Sequence, residues 1–154
     1  MAVGPFLNHD SGFAELLSTA DWTTDAYYAV LLANGSGTQD RTTEVDWDDI
    51  SAAEISDADY TRQALASKTV AADSGNSYAI KFTCGKITFT AAGDISARYL
   101  YILKGTAASP VGTDKIVGHI DLTGAAENAS SVNAEFSFTP HTTGLFYAAR
   151  TAAP

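Results

Sequence analysis

One cysteine, Cys84, is all the chain has, which rules out an internal disulfide and leaves redox chemistry without support. Proline is sparse at 4 residues, and 45% of the residues are hydrophobic against 18% charged, so the composition is that of an ordered domain rather than a disordered tail. No run approaches the roughly 18 apolar residues of a membrane helix, and the start has neither a basic stretch nor an apolar signal core. Synthesis and folding in a cytoplasm are therefore expected. Positive charge is also scarce: 9 Lys plus Arg face 18 Asp plus Glu, a net charge of -9 that repels phosphate backbones and anionic membranes. Neither nucleic acid nor a membrane is expected as a partner.

What is present is a series of short alternating segments cut apart by Gly, Asn, Asp, Ser and Pro. Tyr78, Ile80, Phe82 and Cys84 alternate with Lys81 and Thr83, and Val132, Ala134, Phe136 and Phe138 alternate with Asn133, Glu135 and Ser137. Period two marks a half-buried strand. Ala26 to Ala33 (AYYAVLLA) is apolar throughout and reads as a central strand covered on both faces; Tyr60 to Ala71 carries strand character with Leu65 and Val70. Ala92-Gly93-Asp94 reads as a turn into Ile95 to Leu103, again apolar on both faces. Ile116, Gly118, Ile120 and Leu122 are expected inward, with His119 and Asp121 outward. Leu145 to Ala148 forms the last strand. With 154 residues, this pattern predicts one all-β domain of about eight strands, a β-sandwich or jelly-roll-like barrel over 13–154.

Two segments stand apart. Met1 to Gly12 holds Phe6 and Leu7 among Gly4, Pro5 and Asn8 without a sustained pattern, and reads as an N-terminal arm that orders on a neighbour. Phe13 to Ala20 is too short to decide between a helix and an irregular strand. From Asp40 to Asp59 eight carboxylates accompany Trp47 and Ile50 as large apolar anchors, which predicts a long surface loop.

Chemistry-bearing patterns fail on spacing. Asp46, Asp48 and Asp49 bunch three carboxylates, yet a calcium loop beginning at Asp46 would meet Ile50 and Ser51 where an oxygen ligand and a glycine belong. One beginning at Asp57 would put Arg62 at the glycine position. His9, His119 and His141 form no zinc motif, and Ser36 in Asn-Gly-Ser-Gly has no nucleophile-elbow frame. Phosphate-binding loops and dinucleotide fingerprints are absent from the sequence. The sequons at Asn34 and Asn128 read as turn chemistry, and Cys84 as a small core residue. The expectation is a protein without enzymatic activity, metal or cofactor.

The order of elements resembles the small virion proteins of tailed bacteriophages known as decoration, cement or minor structural proteins. The likeness is carried by Asp21-Trp22-Thr23-Thr24-Asp25 leading into Ala29-Val30-Leu31-Leu32, then the acidic segment ending in Asp59-Tyr60-Thr61-Arg62 and Ser96-Ala97-Arg98-Tyr99-Leu100-Tyr101 before a Gly/Pro loop. It continues through Ile116-Val117-Gly118-His119-Ile120-Asp121-Leu122 to Thr143-Gly144-Leu145-Phe146. The resemblance implies a subunit on the capsid exterior that binds the major capsid protein, self-associates as a homotrimer and stabilises the head. Phe6, Leu7, Trp47 and Tyr60 are the candidate assembly contacts. The two-faced strands are expected to give sandwich core on one side and subunit contact on the other. The same class contains tail and baseplate components, which is the alternative. A carbohydrate-binding β-sandwich for host attachment, with Trp22, Trp47 or tyrosines as its platform, is the second alternative.

Overall fold

A computed structural model describes residues 6–8, 22–35, 40, 42–73, 76–124, 127–141 and 145–149. The all-β expectation holds. Ten strands are seen among these residues: β1 Phe6–Asn8, β2 Tyr27–Leu32, β3 Gln63–Ala64, β4 Thr69–Asp73, β5 Asn76–Thr83, β6 Ile87–Ala97, β7 Tyr99–Lys104, β8 Lys115–Asp121, β9 Ala129–Phe138 and β10 Phe146–Ala149. Pairing is antiparallel throughout, in a five-stranded sheet of order β1-β8-β7-β2-β3, a three-stranded sheet β10-β5-β4 and a two-stranded ribbon β6-β9. Where the sheets meet, β1 touches β10, and both β2 and β3 touch β6.

The apolar run in β2 has the consequence expected of it: all six residues are buried. Alternation sends Tyr27, Ala29 and Leu31 to one side, where they join Leu100, Ile102, Ile87, Phe89, Ile95 and Leu145 in the main core. Tyr28, Val30 and Leu32 go to the other side, with Tyr99, Tyr101, Leu103 and Ile116. Burying each such aliphatic side chain contributes roughly 1.5–3 kcal/mol. Trp22 enters the main core just ahead of β2, its ring 4.6 Å from that of Tyr27 and its indole N–H donating to the Thr83 carbonyl at 2.9 Å. Cys84 is buried here, and burial pushes its thiol up to about 11.

Several sequence expectations are corrected. The turn expected at Ala92-Gly93-Asp94 is strand: β6 runs through it with register shifts on either side of Gly93, and the break falls at Arg98, where the chain passes from the ribbon to the large sheet. Gly93 is needed there because a Cβ would lie 2.5 Å from Cβ of Asp59. In β8, Ile102 pairs with Gly118 but Leu103 with Ile116, so Val117 is an extra residue. That bulge reverses the alternation. Val117 and Ile120 face the main core while Ile116 faces the second one. His119, expected outward, is buried with its ring stacked 4.9 Å from Tyr101. Val132 and Ala134, expected inward, are exposed, Val132 at 72%, because Asn133 takes a left-handed φ of 48° amid the register shifts of the ribbon. The expected strand over Tyr60 to Ala71 is instead β3 and the start of β4, with Leu65 buried and Val70 exposed.

The N-terminal segment is also partly placed. Phe6, Leu7 and Asn8 pair with Ile120, His119 and Gly118, so these three residues extend the chain's own sheet; the rest of Met1 to Gly12 and the whole of 13–20 lie outside the described residues.

Candidate functional site at the acidic connection

Trp47 and Ile50 are three residues apart, the spacing that brings two side chains to one face of a helical turn. The segment does not remain a loop: Trp47–Ile50 forms a short helix, α1, and Ser51–Ala53 a 3-10 turn. The Asp49 carboxylate ties its start by accepting the N–H groups of Val45 (2.7 Å) and Asp46 (3.1 Å), and these bonds hold its pKa below the usual carboxylate range. Trp47 and Ile50 then cover the second face of the large sheet, with Ala53 and Ala107 at the margin. Beyond the helix the backbone follows β2, with Ala33 N–H donating to Ala53 and Ile55 N–H to Leu31, before β3 completes the edge.

The carboxylates of this region are acceptors for tyrosines that the sheet presents. Tyr101 donates to Glu44 at 2.8 Å, Tyr60 to Glu54 at 2.6 Å and Tyr28 to Asp114 at 3.0 Å. Burial, then the neighbouring carboxylate, raises the pKa of all three phenols, so they stay neutral donors. Burial also raises Glu44 above its ordinary value, in opposition to the Tyr101 bond. Arg62 meets Glu54 through two bonds, Nε at 2.7 Å and Nη2 at 2.6 Å, and lies 5.2 Å from the centre of the Trp47 ring. The Glu54 bonds raise the Arg62 pKa further, so it is a fixed cation with its charge matched.

Beside this group lies an open depression of about 650 Å³, bounded by Tyr60, Thr61, Arg62 and Ala64 on one side and Thr106, Ala107 and Ala108 on the other, with Glu54 and Ile55. The lining combines methyl groups, hydroxyls and a neutralised ion pair. Among the described residues no group of three or more His, Cys, Asp or Glu is arranged to hold a metal ion.

The four expected contact residues do not form one surface. Phe6 and Leu7 are on β1 and Tyr60 adjoins β3, at opposite edges of the large sheet. Trp47 is 7% exposed and its ring belongs to the second core, which removes it as a surface anchor. Tyr60 is half-buried and lines the depression. Glu54, Arg62 and the Thr106–Ala108 turn were not anticipated. Arg62 did carry a signal, being the only Lys or Arg between Arg41 and Lys68 in a stretch dense in carboxylates. Trp22 is buried as well, so neither tryptophan forms a sugar platform. No protein-family model, curated protein or solved structure matches this chain.

Proposed function

We propose that this chain is a structural protein of a tailed-bacteriophage virion, a decoration or cement subunit on the outer surface of the assembled head that contacts the major capsid protein. In this reading the three sheets make a β-sandwich-like module whose role is surface contact. The ordered series of motifs from Asp21-Trp22-Thr23 to Leu145-Phe146 carries the proposal. Supporting it, the groups with chemical potential near the acidic connection serve as ties between segments: Glu54 with Arg62 and Tyr60, Glu44 with Tyr101, and Asp114 with Tyr28. A net charge of -9 also keeps the subunit from competing for packaged DNA.

The argument for a trimer through a second apolar face does not survive, because the chain's own Trp47 and Ile50 cover that face. The depression beside Tyr60 and Arg62 is the better capsid-contact surface, since Ala64, Ala107 and Ala108 let a partner backbone approach closely.

Antibody labelling of purified virions tests the placement, with label expected over the head. Label on the tail selects the alternative within the class, and absence from virions overturns the proposal. Attachment by shape and apolar contact predicts retention on particles in about 1 M salt, where the screening length is ~3 Å. Ala107→Arg is expected to lower occupancy at least tenfold.

A further inference from the structure

Sheet edges are sites where another chain can add a strand, and folds commonly blunt them. This fold does so at most of its edges. The outer N–H groups of Asp94 and Ser96 on β6 donate to the carboxylates of Asp59 (3.0 Å) and Asp57 (2.8 Å). The ribbon strand β9 carries the Asn133 kink, whose N–H donates to Asp94 Oδ1 at 2.7 Å, and the charge of Glu135. Of the short edge strands, β3 has two residues, while β1 has three and lies against β10.

The strand β4 is different. Thr69, Val70, Ala71 and Ala72 are all exposed, Val70 at 43%, no charge or proline interrupts them, and the register shift against β5 falls at their end, between Ala72 and Asp73. Among the described residues β4 pairs with β5 alone. We propose that β4 is a docking edge for a second copy of this chain, the two β4 strands pairing antiparallel about a two-fold axis at Ala71.

Charge selects this occupant. Copies that each carry -9 repel one another, so contact is favoured through a stretch free of acidic side chains. The sequence Lys68-Thr-Val-Ala-Ala-Asp73 begins with a cation and ends with an anion. Antiparallel self-pairing sets the Lys68 end of each strand beside the Asp73 end of the other, whereas parallel pairing would set like charges together. The Lys68 ammonium donates to the Asp25 carbonyl at 2.6 Å and lies 5.5 Å from the centre of the Tyr27 ring, neither of which carries a formal charge. Centring on Ala71 places Val70 opposite the partner's Ala72 and Ala71 opposite itself, a register without bulky pairs. The contact is isologous and closes at two copies. It requires nothing of the virion reading.

Cysteine cross-linking and solution mass test it on the full chain. Opposed antiparallel Cα atoms lie ~4.5–5.5 Å apart, within disulfide range, so Ala71→Cys should form a covalent dimer under mild oxidation. Wild type, with Cys84 buried, should not, and Ala134→Cys on β9 is the collisional control. Light scattering over a concentration series should rise from 16.1 kDa toward twice that value, and Val70→Lys, an exposed change that leaves the fold intact by circular dichroism, should abolish the rise. A constant monomer mass, a trimer, or cross-linking of Ala71→Cys no faster than Ala134→Cys overturns the proposal.

Discussion

At the scale of single residues, the tyrosine–carboxylate pairs set how stability responds to pH. A carboxyl whose folded pKa is raised binds its proton more readily folded than unfolded. Glu44 is such a group, so its contribution is present at low pH and is lost as pH rises through its raised value. Glu44→Gln mimics the protonated form and is expected to be at least as stable as wild type at neutral pH, the gap closing on acidification. Urea midpoints measured from pH 3 to 8 read this directly. Asp40 has the opposite sign: Thr42 donates to it from hydroxyl and backbone, lowering it to about 2, so its contribution is present above 3.8 and lost as pH falls through about 2. Tyr101→Phe leaves the half-buried Glu44 without that donor and is expected to cost about 1–2 kcal/mol in the same assay.

At the scale of elements, α1 is a lid on the sheet more than a helix in its own right. Four residues cannot sustain helical structure by propensity, so its place depends on Trp47 and Ile50 being buried. Trp47→Ala is expected to cost about 3–5 kcal/mol and to expose the Tyr28 and Tyr101 face, detectable as dye binding to apolar surface before global unfolding. The bulged part of β6 makes a second element-scale claim. Because a Cβ at Gly93 meets Asp59, Gly93→Ala should destabilise by roughly 1–3 kcal/mol, and most of that loss should disappear when Asp59→Gly is added. An additive double-mutant cycle would refute the contact.

For the whole molecule, net charge and its distribution decide the response to salt. The ion pairs among the described residues, Arg62 with Glu54 and Lys86 with Glu135 included, stand against a net charge of -9. Partly exposed pairs contribute little each, so screening of self-repulsion should outweigh their weakening. The melting temperature is expected to rise between about 10 mM and 500 mM NaCl, as the screening length falls from ~30 Å to a few ångströms. A fall in melting temperature would mean that the ion pairs dominate.

Composition and periodicity alone determined the all-β class, the two-sided burial of β2, the inward placement of Cys84 and the role of Trp47 and Ile50 as anchors. Each follows from local alternation or from the types of residue available. Tertiary structure alone decided which face those residues cover. A second apolar face on β2 and β7 is equally consistent with a partner subunit or with a segment of the same chain, and only the path of 42–62 across the sheet distinguishes them. Bulges at Val117 and around Gly93 were likewise invisible, because one inserted residue reverses the alternation without changing the composition. The Glu54–Arg62–Tyr60 group lay scattered over nine positions in sequence, and it became a site because the chain turns back along β2 and brings those three side chains together.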